Sequence, residues 1–431
     1  MAVSVRTSPI LEPSRREVEL PPWRRVRQHI PHRALPSAAD AVRSELARPE
    51  VAERIRPGMK VAIGVGSRGI KCVREVVATL VAELRQRGAE PFIVPAMGSH
   101  GGGTAEGQAG VLASYGVTEA GVGAPVRASM DAVELGQVLD GISVYMDKTA
   151  YTQADAVIPV ARVKPHTDFR NRIESGLHKM LTIGFGKHLG ASFTHTLPLE
   201  RFGEVIESAG QLVLSKAPVP FGIAIVEDGH EDPAIIEAVL GERFIEREPE
   251  LLALAKEWLP RLPFPEVDVL LLQELGKNIS GAGMDPNVTG RFALKSIPRP
   301  VEITRLIVLG LTEESHGNAA GIGFADIISR RAADAIDLAA TYTNHVTSQL
   351  LEGARLPLVA ETDKEALAVA AQTLYRRRPA DARIAWARNT LEMGELWMSE
   401  PLWAEVRQRE NLEALSEPEA IRFRADGALE V

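Results

Sequence analysis

The sequence predicts an α/β protein of two domains: a parallel, Rossmann-like sheet in an N-terminal domain, then a smaller α/β C-terminal domain, with the active site in the cleft between them. Three observations carry this expectation. From about Lys60 onward, short apolar strands alternate with segments whose apolar residues recur at helical spacing, the pattern of a doubly wound sheet. The 431 residues exceed what one hydrophobic core usually supports. Pro260, Pro263 and Pro265 interrupt the chain where one α/β run ends and another begins.

Residues 1–37, rich in Pro and Arg (Pro21-Pro22-Trp23-Arg24-Arg25), read as an arm lying over a domain. Residues 38–262 form the first domain. Strands are expected near residues 60–64 and 90–97, each followed by a helix, over 70–87 (Val73, Val76, Val77, Leu80, Leu84) and 104–115. Residues 144–146, 156–163 and 222–227 read as further strands, and 198–215 and 248–259 as helices. The second domain, 266–383, carries strands near 267–273 and 303–310 and a helix near 334–351. The tail, 384–431, reads as helical over 385–396 and 402–410, placed to pack back on the first domain. No internal repeat or low-complexity tract interrupts this order.

Composition narrows the function classes. Hydrophobic content of 45% and charged content of 25% describe a globular chain. The net charge of −8 gives no general attraction to nucleic acid or to an anionic membrane. Cys72 is the sole cysteine, which excludes an intramolecular disulfide and cysteine-rich zinc or iron–sulfur sites. The first sixteen residues lack the apolar core of a signal peptide and no run reaches membrane-spanning length, so a cytoplasmic protein is expected.

In a doubly wound sheet, ligands sit outside the carboxyl ends of the strands. The loop after the second strand reads Gly98-Ser99-His100-Gly101-Gly102-Gly103-Thr104. Its glycines let main chain approach a ligand, and the following helix start favours an anion such as phosphate. A Gly-rich turn that leaves His100 exposed by accident accounts for the same residues. The loop after the first strand, Gly66-Ser67-Arg68-Gly69, offers a guanidinium fork suited to a carboxylate, or an ordinary surface arginine. After the strand over 156–163 come Lys164-Pro165-His166-Thr167-Asp168, an imidazole among charges or simply a basic, solvated loop. Lys179 lies in an apolar, glycine-flanked stretch (Gly176-Leu177-His178-Lys179-Met180-Leu181). Such a lysine is either an amine of lowered pKa able to attack an acyl carbon, or a snorkelling helix residue. His195 follows in Phe193-Thr194-His195, a structural histidine or a ligand for nickel, copper or zinc. Asp228, Glu231 and Asp232 surround His230 in an acidic turn that reads as solvated, with a divalent-ion site as the alternative.

Together these residues resemble the lactate racemase superfamily, whose members use a nickel-pincer nucleotide, a pyridinium thioamide/thiocarboxylate mononucleotide that carries nickel. The likeness is most specific from Ser67 to Thr196. It implies that Gly98-Ser99-His100 and Pro165-His166 supply two acid–base histidines, that Lys179 tethers the cofactor covalently, and that His195 ligates nickel. It further implies that Ser67, Ser99, Gly101, Gly102 and Thr104 line the cofactor. Arg68, Lys164 and Asp168 face the substrate, with Asn287 and Arg291 from the Gly283-Met284-Asp285-Pro286-Asn287 loop; Lys277 and Lys295 are alternative carboxylate partners there. Separate maturation proteins would assemble the cofactor, so a recombinant preparation can lack it.

The family's Asp-x-Thr-Arg-Pro loop is replaced here by Gly66-Ser67-Arg68-Gly69, and Thr167 to Arg172 replaces an aromatic, glycine-rich segment. These departures point to a hydroxy acid larger or more polar than lactate. A histidine on each side of a carbinol gives a base for either enantiomer, since imidazole exchanges protons near neutral pH. The rival readings are a zinc-type lyase or hydrolase built on His100, His166 and His195, and a phosphorylated-ligand binding protein without catalysis.

Overall fold

The structure is a computed structural model and describes residues 10, 17–67, 69–139, 141–194 and 197–431. The chain folds as two compact units, one of residues 31–259 and one joining residues 1–30 to residues 260–431.

The second unit therefore takes its first strand from the chain's beginning. In β1 (Trp23–Gln28), Trp23, Val26 and Gln28 are buried, Arg25 and Arg27 are exposed, and Arg24 is half-buried. This corrects the expectation of an arm. The charge of Arg24, Arg25 and Arg27 masks a strand that buries the apolar Trp23 and Val26.

In the 31–259 unit, β2 (Lys60–Val65), β3 (Glu90–Pro95), β6 (Ala156–Arg162), β7 (Phe221–Glu227) and β8 (Pro233–Leu240) form one sheet in the order β3-β2-β6-β7-β8. The first four are mutually parallel and β8 runs antiparallel on β7. Alternate strand residues feed two cores. Val61, Ile63, Ile93 and Ile158 pack with α1 (Ala38–Ala47) and α2 (Val73–Gln86), whose Val76, Val77, Leu80 and Leu84 are the apolar stripe seen in the sequence. Ala62, Phe92, Val157 and Ala224 pack on the other face with α5 (Phe202–Lys216) and α6 (Phe244–Trp258). A parallel sheet buried on both faces is the expected result of strands joined through helices. One predicted strand is placed differently: β5 (Ile142–Asp147) pairs only with β4 (Ala132–Val138), as an antiparallel hairpin outside the parallel sheet.

In the second unit, β9 (Glu266–Leu272), β10 (Glu302–Val308), β11 (Ile327–Ser329), β12 (Leu358–Ala360) and β13 (Ile384–Ala387) are parallel. β14 (Glu395–Ser399), β1 and β15 (Leu412–Ala414) extend the sheet antiparallel beyond β13. The helical reading of residues 385–396 is thus overturned, whereas a helix does form at Glu400–Val406, overlapping the one expected over 402–410. Ala385, Ala387, Leu396 and Met398 are buried by strand pairing within the second unit, and this outweighs the helical propensity of an Ala- and Leu-rich run. No described helix is long and apolar enough to cross a membrane.

Candidate active site

The strand order fixes where a ligand can sit. The chain leaves β2 toward its neighbour β3, and leaves β6 toward β7 on the opposite side. The loops after β2 and β6 therefore diverge, which opens the crevice that α/β proteins use for binding. β3 and β6 flank β2, so the roots of the His100 and His166 loops stand two strand spacings apart, about 10 Å.

The His100 loop is folded tightly by its glycines. Gly101, Gly102 and Gly103 all hold a left-handed backbone (φ 66°, 68° and 65°). At Gly101 a Cβ would lie 2.7 Å from the main chain of Gly107 and Gln108, so no other residue fits that turn. The loop runs into α3 (Ala105–Ser114), whose N-terminus Thr104 caps by accepting the Gly107 N–H at 3.0 Å. Buried Gln108 reaches back, donating to the Gly98 carbonyl at 2.8 Å and the His100 carbonyl at 3.3 Å. This holds the main chain while the His100 ring stays exposed, its Nδ1 against the hydroxyl of Ser67. The Ser67 carbonyl in turn accepts the Tyr115 hydroxyl at 2.6 Å. The loops after β2 and β3 are thus joined through Ser67 and His100, with half-buried Ser99 beside them.

The His166 loop is held by charge. Glu174, fully buried, accepts the His166 N–H at 2.9 Å, the Asn171 N–H at 3.2 Å and the Lys256 ammonium at 2.6 Å. Arg170 donates to the His166 carbonyl at 2.7 Å, and the buried Phe169 ring packs on the imidazole with centroids 4.2 Å apart. The Asp168 N–H donates to His166 Nδ1 at 3.1 Å, and the Asp168 carboxylate lies 3.7 Å from the same nitrogen. Lys164 is clipped by Ser175, which accepts its N–H at 2.7 Å and donates to its carbonyl at 2.6 Å.

Lys179 ends a one-turn helix (Gly176–Lys179) that continues as a π-turn over Met180–Gly184, a widening often found at functional sites. Its side chain is half-buried. Buried Glu248 accepts the N–H groups of Leu177 and His178 and meets the His178 ring, while Gln211 reaches the other His178 nitrogen at 3.2 Å. The π-turn lies across the ends of β2 and β3. Gly98 donates to the Gly184 carbonyl at 3.1 Å, and a Cβ on Gly184 would come within 2.7 Å of the Ala96 carbonyl. The turn bearing Lys179 and the loop bearing His100 therefore pack as one piece.

Sequence reasoning missed Lys187, at the start of α4 (Lys187–Thr194). This lysine is fully buried, with its ammonium 2.5 Å from the Pro95 carbonyl, 3.0 Å from Asp147 and 3.4 Å from Gln108. Burial pushes its pKa below the ordinary value, against the opposing pull of Asp147. The glycine on its N-terminal side was the one local signal in the sequence; the left-handed backbone at Lys187 (φ 56°) shows only in the structure. Arg68 and His195 lie outside the described residues.

No protein-family model and no curated protein matches the sequence. Among solved structures, the lactate racemase apoprotein from Thermoanaerobacterium thermosaccharolyticum aligns over 89% of this chain and 96% of its own, at 14% identity and a TM-score of 0.54. The fold is lactate racemase-like. A crystal structure of a protein from Thermotoga maritima aligns over 65% of this chain and 72% of its own, at 13% identity and a TM-score of 0.49.

Within this lactate racemase-like fold, the predicted residues of the second unit are engaged internally. Asn287 is buried, with its side-chain amide donating to Asp285 at 2.8 Å. The Arg291 guanidinium holds Asp326 at 2.7 Å and the Ile303 carbonyl at 2.9 Å. Lys277 donates to the Gly281 carbonyl at 2.5 Å. The acidic turn after β7 is likewise satisfied. Burial pushes the Asp228 carboxyl up, but N–H groups of Arg33, His230 and Asp232 outweigh it and hold the group below its ordinary value. His32, Asp228 and Asp232 are the one metal-ligand-like group among the described residues, and Lys71 already holds Asp232 at 2.9 Å. Burial, helped by Glu227, pushes the Cys72 thiol up to about 12, so it is no nucleophile at neutral pH.

Proposed function

We propose that this protein is a racemase or epimerase that inverts the C2 carbinol of a 2-hydroxy acid larger or more polar than lactate. The observation that carries the reading is the pair of histidine loops rooted on either side of β2, at the switch point of a lactate racemase-like fold. A small substrate seated there has an imidazole rooted on each flank, which is what exchange of a hydroxyl proton from either side requires.

A nickel-pincer nucleotide fits the donor set. Lys179 offers an amine on a half-buried turn packed against the His100 loop. Three left-handed glycines lead into a capped helix N-terminus, with open space beside Gly102. In this reading Lys179 tethers the group, His195 ligates its nickel, and Ser67, Ser99, Gly101, Gly102 and Thr104 lie along it. When bound, it supplies the hydride acceptor and donor that takes C2 to the keto level and back. The chain's own residues do the rest. His100 and His166 take up and return the hydroxyl proton, and Arg68, with Lys164, holds the carboxylate. Ser67 orients His100 through Nδ1. The buried Phe169 keeps the His166 ring in place.

The test is metal and intact-mass analysis of the chain produced with the cofactor-maturation proteins. The expected result is one nickel and a covalent mass increase, both of which require Lys179. Zinc without an adduct would favour the lyase or hydrolase reading and contradict this one.

A further inference from the structure

The two histidines have different partners at the same ring atom. His100 Nδ1 meets a hydroxyl, which can donate or accept, so either neutral tautomer of His100 is satisfied. His166 Nδ1 meets the main-chain N–H of Asp168 at 3.1 Å, and a peptide N–H can only donate. The nitrogen that receives it must present its lone pair, so the neutral His166 ring carries its proton on Nε2. A charged ring has a proton on Nδ1 as well and needs an acceptor there. The Asp168 carboxylate stands 3.7 Å away, oriented by the Thr167 hydroxyl that donates to it at 2.6 Å. The ring is held in place. Its flanking main chain is tied to Glu174 and Arg170, and Phe169 packs on its face.

We propose that Asp168 is the positioning residue of His166, rather than a substrate contact. Its N–H holds the resting ring as the Nε2–H tautomer; once the ring is also protonated on Nδ1, its carboxylate accepts the Nδ1–H hydrogen bond, and Nε2 then gives its proton to the substrate oxygen and takes it back. The site is then asymmetric at rest, with His166 a fixed hydrogen-bond donor and His100 adaptable. This rests on the reading of His166 as an acid–base group, but its structural half can be measured without catalysis.

The experiment is nitrogen-15 NMR of histidine-labelled full-length chain at a pH where the rings are neutral, with His166 assigned by its loss in His166→Gln. The expected result is a protonated Nε2 and an unprotonated Nδ1 in the wild type and in Asp168→Asn, which keeps the N–H. An Nδ1–H tautomer in the wild type would overturn the proposal. In cofactor-loaded enzyme, Asp168→Asn should lower kcat at least tenfold while KM stays within about twofold. Thr167→Val, which only loosens the carboxylate, should do the same to a smaller degree. A raised KM with unchanged kcat would make Asp168 a substrate contact instead. If the loaded wild type shows no turnover, the functional reading fails while the NMR result still decides the tautomer.

Discussion

The His100 and His166 loops leave strands on either side of β2 and are held by different means. The first is shaped by glycines and pinned through main-chain carbonyls, by Gln108 and by the Lys187 ammonium on Pro95. The second is gathered around one buried carboxylate, Glu174, which binds two N–H groups and Lys256. The difference teaches that buried charge can clamp a loop whose shape glycines already set, or gather a loop on its own, and that the two leave different traces in a sequence.

The comparison breaks first at Lys187. Lys187→Met strands Asp147 in a fully buried site, and breaking such a pair costs about 3–5 kcal/mol. Urea unfolding should show that loss, and wild-type stability in the variant would mean that the His100 loop needs no buried charge. Glu174→Gln keeps the shape of the second anchor but removes its charge. Because Lys256 is partly exposed, the expected loss is smaller, about 2 kcal/mol, with the His166 ring resonances broadened in NMR spectra. A loss as large as that at Lys187 would erase the ranking. The turn after β7 sharpens the contrast, being charged but without a catalytic role here. Asp228→Asn should cost about 1 kcal/mol at neutral pH and leave turnover unchanged. The folded-state pKa of Asp228 lies below 3.8, so the wild-type advantage is full above that value. It should vanish as pH falls through the lowered pKa, which acid titration of both proteins would check.

The glycine-built loop was legible because its devices are local. Gly98 to Thr104 announces a tight turn and a helix cap within seven residues, and the strands before it alternate cleanly with helices. The charge-built loop was legible only as an imidazole among charges. Glu174 finds Lys256 far along the chain, and nothing near either residue marks the pairing. Lys179 was singled out for its apolar neighbours, yet the lysine that is fully buried is Lys187, whose partner Asp147 ends a hairpin. The same rule explains the misread ends of the chain. β1 is masked by its arginines, while β13 and β14 are short, and over so few residues an apolar pattern does not separate strand from helix until the partner strand is known.

The central claim is that both histidines serve one reaction at one carbinol. It is tested most directly by chiral chromatography of a panel of 2-hydroxy acids, polar and dicarboxylic ones included, incubated with nickel-loaded wild type, His100→Ala and His166→Ala. The account predicts that the wild type interconverts the stereoisomers of at least one acid, and that each variant loses at least a hundredfold in rate while retaining its nickel. Near-normal interconversion by both variants would contradict it.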